Sequence, residues 1–234
     1  GRRERTGHRA AIVFGSDHGL CGRFNEDITA HALKHLEHTP PDSDNRRVMA
    51  IGARTAAELE ESDQAVEEIF LVPGSAARIT STVQQILGKI DEWRSEADVH
   101  HVYLFYNHHL DSGSYRPTAV QLLPVDPQRF RQTGERPWPS RRLPTFTMDR
   151  KRLLAALLRQ YFFVSLFRAC AESQASEHAS RLAAMQSAEK NLEERLEEVA
   201  TQFRRLRQQA ITTELLDVVS GFEAVMTEPM DTST

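Results

Sequence analysis

The 234 residues carry 29 Lys and Arg against 33 Asp and Glu, a formal charge of −4, with 40% hydrophobic and 26% charged residues. That balance fits one globular core with some chain left over; it excludes a disordered polar tract and argues against holding nucleic acid through bulk positive charge. Two cysteines, Cys21 and Cys170, leave no disulfide framework to expect and point to a reducing compartment.

The opening "GRRERTGHRAA" has basic residues but no apolar stretch behind them, so no secretory signal is expected. Short β-rich runs then alternate with helix-like stretches. "RAAIVFG" leads into a helix expected over 22–37, "RVMAIG" precedes "ARTAAELEES", and "EEIFLV" precedes "SAARITSTVQQILGKIDEWRSE". "VHHVYLFYN" and "AVQLLPVD" follow, separated only by the turn-rich "HHLDSGSYRPT". Strand alternating with helix predicts an α/β fold with a mostly parallel sheet, and the last short link predicts an antiparallel edge pair. Residues 127–145, with four prolines and no periodicity, read as a surface loop.

From about Asp149 to Val225 there is no proline, and Gly221 is the only glycine. An unbroken helix over that span would reach roughly 110 Å, longer than a compact domain is wide. The stretch "LLAALLRQYFFVSLF" is shorter than the roughly 20 residues of a membrane span and carries Arg159 and Gln160 at its centre, so a soluble chain is expected. "RLLAALLRQYFFVSLFRA" is apolar on more than one face, which predicts packing against the sheet domain. Beyond it, Leu182, Met185, Glu189, Leu192, Leu196, Val199, Phe203, Leu206 and Ala210 are spaced alternately by three and four, a coiled-coil seam broken only at Glu189. The stripe then slips by one residue to Ile211, Leu215, Val218 and Phe222. A seam of this length needs a partner helix, and no other helix in the sequence is long enough to supply it.

Candidate chemistry centres on "FGSDHGLCGRFN", residues 14–25. The strand-to-helix context suits a dinucleotide loop, but the glycine spacing is G-x-x-x-G-x-x-G, and Asp17 places negative charge where a pyrophosphate would lie. Ser16, His18 and Cys21 on one turn do not supply a nucleophile, its base and an orienting group. The simpler reading is a structural turn built by Asp17, Gly19, Leu20, Cys21, Gly22 and Asn25. In it Asp17 accepts backbone N–H groups and Cys21 serves as a small hydrophobe. His31, His35 and His38 could share a helix face, and His101, His108 and His109 lie on one strand; no pattern of other ligands completes a metal site, so solvated histidines are expected. Neither a catalytic residue nor a cofactor is assigned.

Two stretches together resemble the gamma subunit of rotary F-type ATP synthases. "SDHGLCGRFNEDI" resembles that family's strand-to-helix turn, and "SEHASRLAAM" with "RRLRQQAITTELLDVVSGFEAV" resembles its C-terminal helix. The resemblance implies a Rossmann-like domain plus a long coiled-coil shaft helix, divided as 1–145 and 146–226; the additional polar stretch beyond the family's usual end is expected to be a disordered tail over 227–234. It implies a noncatalytic rotor whose shaft turns inside the catalytic hexamer of alpha and beta subunits and whose foot meets the epsilon subunit and the c-subunit ring. Membrane association would be peripheral, on the cytoplasmic face of the bacterial inner membrane. By position, Arg207, Gln208, Thr212 and Glu214 match residues that contact catalytic-subunit loops, and Leu215, Val218, Val219 and Phe222 fall in the part held in the apolar bearing. Ser176, Glu177, Arg181, Ala184 and Met185 match the helix near the domain.

The departures are an N-terminal helix that this sequence does not include, Leu182 where methionine is usual, the variant stretch "QSAEKNLEE", and no paired cysteines of the chloroplast branch. A divergent paralogue is one reading of them. The alternatives to a rotor are an α/β enzyme or an adaptor dimerising through its coiled coil.

Overall fold

The computed structural model describes residues 8–37, 46–110, 114–126, 128 and 145–226. The elements are β1 (His8–Phe14), α1 (Phe24–Glu37), β2 (Arg46–Ile51), α2 (Ala53–Glu61), β3 (Glu68–Phe70), α3 (Ala76–Glu96), β4 (Val99–His109), β5 (Tyr115–Leu123) and α4 (Arg150–Met226). The chain divides into two compact units, Gly1–Ala184 and Met185–Thr234.

The first unit is built on a five-stranded sheet in the order β3-β2-β1-β4-β5. Four strands are parallel and β5 runs antiparallel to β4, as the alternating pattern and the short last link predict. Central β1 is apolar at almost every position because both of its faces are covered. Ala10, Ile12 and Phe14 pack with α3 residues Ile79, Val83, Ile86, Ile90 and Trp93, and with Leu166, Ala169 and Cys170 of α4. Ala11 and Val13 face the other way, onto Ile28, Ala32 and Leu36 of α1 and Ala56 and Leu59 of α2.

Three boundaries differ from expectation. The first helix begins at Phe24 rather than at residue 22, because Gly22 turns through φ 59 and Phe24 N donates to Cys21 O. Strand β3 is only three residues long. Strand β5 starts at Tyr115, so half of the expected turn is strand; Pro117 is tolerated because β5 is an edge strand, with one side of its backbone unpaired in the ladder.

Asp149 caps the start of α4, its Oδ2 accepting from Lys151 N at 3.0 Å and Arg152 N at 3.3 Å. The apolar start of α4 packs against the sheet domain as expected, but through one face only. Phe162, Phe163, Leu166, Phe167, Ala169 and Cys170 join the sheet core, while Leu154, Leu157 and Val164 stay more than half exposed. By length and composition α4 would also be apolar enough to cross a membrane, but part of that apolarity belongs to the sheet core.

The second unit is a bare stretch of α4. Every seam residue from Leu192 to Phe222 is exposed, and its ion pairs, Lys190–Glu194 and Arg195–Glu198, are solvent-facing contacts worth about 0.3–0.5 kcal/mol each.

Candidate functional site

The turn after β1 is organised by buried side chains. Ser16 is fully buried; its backbone N donates to Asn25 Oδ1 and to Thr55 Oγ1, both at 3.0 Å. Asn25 Nδ2 donates back to Ser16 Oγ at 2.8 Å, Thr55 Oγ1 donates to Asn25 Oδ1 at 2.9 Å, and Ser16 Oγ donates to His18 O at 2.7 Å. Asp17 Oδ1 accepts from Ala53 N and Oδ2 from Val72 N, each at 3.0 Å, so this carboxylate ties the turn to the loops after β2 and β3. Asp17 thus does what the sequence predicts of it, and Cys21 is a buried thiol at 1% exposure within the same cluster. Leu20, not Gly19, adopts the left-handed conformation, at φ 62, with its side chain exposed.

The carboxyl edge of the sheet, where strand order reverses between β1 and β4, is where doubly wound folds hold their ligands. Here α4 fills it. Ser176 Oγ donates to Asn107 O at 2.9 Å and Ser180 Oγ to Cys21 O at 2.7 Å. Gln174 Nε2 donates to Pro73 O, and Glu172 meets His108 Nδ1 while accepting from Arg168 Nε at 2.6 Å. Asn107 Nδ2 donates to Phe24 O at 3.0 Å, joining the same rim to α1. Glu177 is buried at 5% exposure and takes Arg181 at 2.7 Å. Ser16 N, which a phosphate-binding turn would leave free, is satisfied from within the protein.

Burial pushes the Glu172 carboxyl up, but the hydrogen bonds and charges of His108 and Arg168 outweigh it and hold the group below its ordinary value. A depressed folded value contributes stability that is present above the unfolded carboxylate pKa and is lost as pH falls through the folded one. Glu172→Gln is therefore expected to melt below the parent at neutral pH, with the gap closing as pH falls below the ordinary glutamate value of about 4.3; a gap that stays constant on acidification, read by thermal denaturation, contradicts this. Burial also raises the Cys170 thiol to about 12, so it is an inert core group.

The solvated histidines are a further correction. His31 lies edge-on to Phe105 at 6.3 Å, His35 to Tyr103 at 5.2 Å, and His108 pairs with Glu172. His38 lies outside the described residues. Among the described residues no group of three or more His, Cys, Asp and Glu side chains is placed to hold a metal.

On α4 the exposed stripe is longer than the spacing argument found. Leu154, Leu157 and Val164, exposed at 58%, 58% and 51%, fall on the same three-and-four spacing traced back from Leu182, with Arg168 and His178 interrupting it and Ala171 packed against the sheet core. The continuation was readable, but leucines and phenylalanines on the sheet-facing side hide it. In the second unit Leu192, Leu196, Val199, Phe203 and Leu206 are 60–69% exposed. Arg207, Gln208, Thr212, Glu214, Leu215, Val218, Val219 and Phe222 are all exposed there too, with Thr212 Oγ1 donating to Gln208 O at 2.9 Å. They form two adjacent rows, Gln208–Thr212–Leu215–Val219 and Arg207–Glu214–Val218, with Phe222 one turn further on. So large an apolar stripe predicts bright fluorescence of a hydrophobic dye with the isolated chain; background fluorescence from a monomer would contradict an open seam.

A family model described as ATP synthase matches residues 2–225. The chain is 33% identical over 226 residues to the ATP synthase gamma chain of Geotalea daltonii, covering 94% of this chain and 74% of that one. It is 27% identical to the gamma chain of Staphylococcus saprophyticus, with coverage of 92% and 73%. Among solved structures, a chain of the Euglena gracilis mitochondrial ATP synthase (OSCP/F1/c-ring, rotational state 3) aligns with a TM-score of 0.68 at 14% identity, covering 96% of this chain and 76% of that one. One from the central stalk and c-ring of the Tetrahymena thermophila enzyme aligns with a TM-score of 0.57 at 21% identity, covering 78% and 76%. The structural likenesses establish the shared fold. The match in sequence runs through the sheet, the turn after β1 and the exposed helix alike, and on that ground the chain belongs to the gamma-chain family of the ATP synthases, a family of noncatalytic stalk subunits.

Proposed function

We propose that this chain works as the rotor of its ATP synthase by carrying ion-driven rotation from a membrane ring to the catalytic hexamer. The observation that carries this is the run of exposed apolar residues along the second unit, Leu192, Leu196, Val199, Phe203, Leu206, Leu215, Val218 and Phe222. Such a helix does its work through differential contacts with the conformations of its neighbours, and no bond chemistry is needed on it. The related structures, one of a central stalk with c-ring and one of a rotor, support this role.

In this reading residues 1–145 form the foot and 146–226 the shaft. The seam from Leu154 to Ala210 takes an antiparallel helix of the same subunit. Arg207, Gln208, Thr212 and Glu214 touch loops of the catalytic beta subunits, and Leu215, Val218, Val219 and Phe222 turn in an apolar bearing made by the alpha and beta subunits. The foot meets the epsilon subunit and the c-subunit ring, which sets the complex peripherally on the cytoplasmic face of a bacterial inner membrane.

The test is to join a gamma-type N-terminal helix ahead of Gly1 and co-express the chain with alpha and beta subunits. Co-purification with ATP hydrolysis, and ATP-driven ion uptake once ring and stator are added in vesicles, is the expected result. Failure to co-purify overturns the proposal.

A further inference from the structure

Apolar contact holds α4 against the sheet through Leu166, Ala169 and Cys170, an attraction that is itself non-directional. Directional contacts lie a turn or two further on. Glu172, Ser176 and Ser180 fall on one i, i+4 row and meet three separate supports: the His108 ring, the Asn107 carbonyl on β4, and the Cys21 carbonyl in the turn after β1. Two of the supports are main-chain carbonyls, which cannot swing aside, and both donors are serines whose hydroxyl sits one bond from Cβ, leaving little slack.

The Cys21 carbonyl is itself fixed. The turn carrying it is bolted by the Ser16, Asn25 and Thr55 hydrogen bonds and by Asp17, and Gly22 brings it close enough that a Cβ there would sit 3.8 Å from Ser180 Oγ. The side chains of this turn are arranged so that one carbonyl is held toward a serine of the long helix.

We propose that Ser176 and Ser180 are torque-bearing positioning residues: through Asn107 O and Cys21 O they stop α4 from rolling on the sheet domain when the two are driven against each other. This rests on the rotor reading above. The test uses the complete synthase in phospholipid vesicles, its gamma chain carrying this sequence with the N-terminal helix joined, comparing parent, Ser176→Ala/Ser180→Ala and Ser180→Thr. The double variant is expected to hydrolyse ATP within about twofold of the parent, while ions moved per ATP against an opposing gradient fall by about fivefold or more. Ser180→Thr, which keeps a hydroxyl, is expected to transport like the parent. Unchanged transport per ATP in the double variant overturns the proposal, as does a proportional fall of hydrolysis and transport together, which would mark general disruption rather than a slipping joint. A parent complex that fails to assemble or pump indicts the rotor reading instead.

Discussion

Gly52→Ala is expected to remove a large part of the stability of the sheet domain. Gly52 sits between β2 and α2 at φ 121, a conformation that side-chain-bearing residues rarely adopt, at a cost of about 1–3 kcal/mol. A Cβ there would also lie 2.5 Å from Ser16 O, 2.7 Å from Ser16 C and 2.8 Å from Ser16 N. These are main-chain atoms of the turn after β1, and moving them breaks Arg54 N to Ser16 O at 3.0 Å and strains Gly15 N to Ile51 O at 2.8 Å. Strain, overlap and lost hydrogen bonds together are expected to exceed about 4 kcal/mol, against a typical total of about 5–15 kcal/mol. Urea denaturation measures it. Gly74→Ala is the control, because nothing lies within 4 Å of its Cβ position. Equal midpoints for the two variants would show that the turn yields more easily than its geometry says.

The second large effect is silent in the isolated chain. Leu196 and Phe203 are 69% and 63% exposed, so Leu196→Glu with Phe203→Glu is expected to leave the melting temperature of the sheet domain unchanged. Against a partner helix the same pair loses about 1.5–3 kcal/mol of apolar burial at each position and adds the desolvation of two charges. Pairing should weaken by more than about a thousandfold, with loss of assembly into the synthase. Sedimentation of the variant with a seam-complementary helix, and co-purification with the hexamer, measure this. Undiminished pairing would mean that the helix presents another face.

The sheet was legible because its strands are short apolar runs bounded by glycine and turn residues, and because β1 needs apolar side chains on both faces. The register of α4 was legible from Leu182 onward, where polar residues separate the seam positions. From Leu154 to Val164 one helix must satisfy a sheet and a stripe at once, and two overlapping apolar faces read as one. Asp17 was placed correctly as an acceptor of backbone N–H groups because a short carboxylate in a turn has few other uses. Thr55 and Ser180 carry no local signal: one lies 39 residues from Ser16 and the other 159 from Cys21, so their roles exist only once the chain is folded. The histidines misled for a related reason, since a half-buried ring on a neighbouring aromatic leaves no mark in spacing.

Side chains of α4 stand across the carboxyl edge of the sheet. A nucleotide held at that edge would be a guest with a dissociation rate, present in proportion to its concentration. The occupant here is tethered through its own backbone, so its effective concentration at the site is set by chain connectivity and does not vary with the composition of the cell. A metabolite would have to compete against that constant effective concentration. A place that related architectures leave to ligands is, in this chain, spanned by its own long helix.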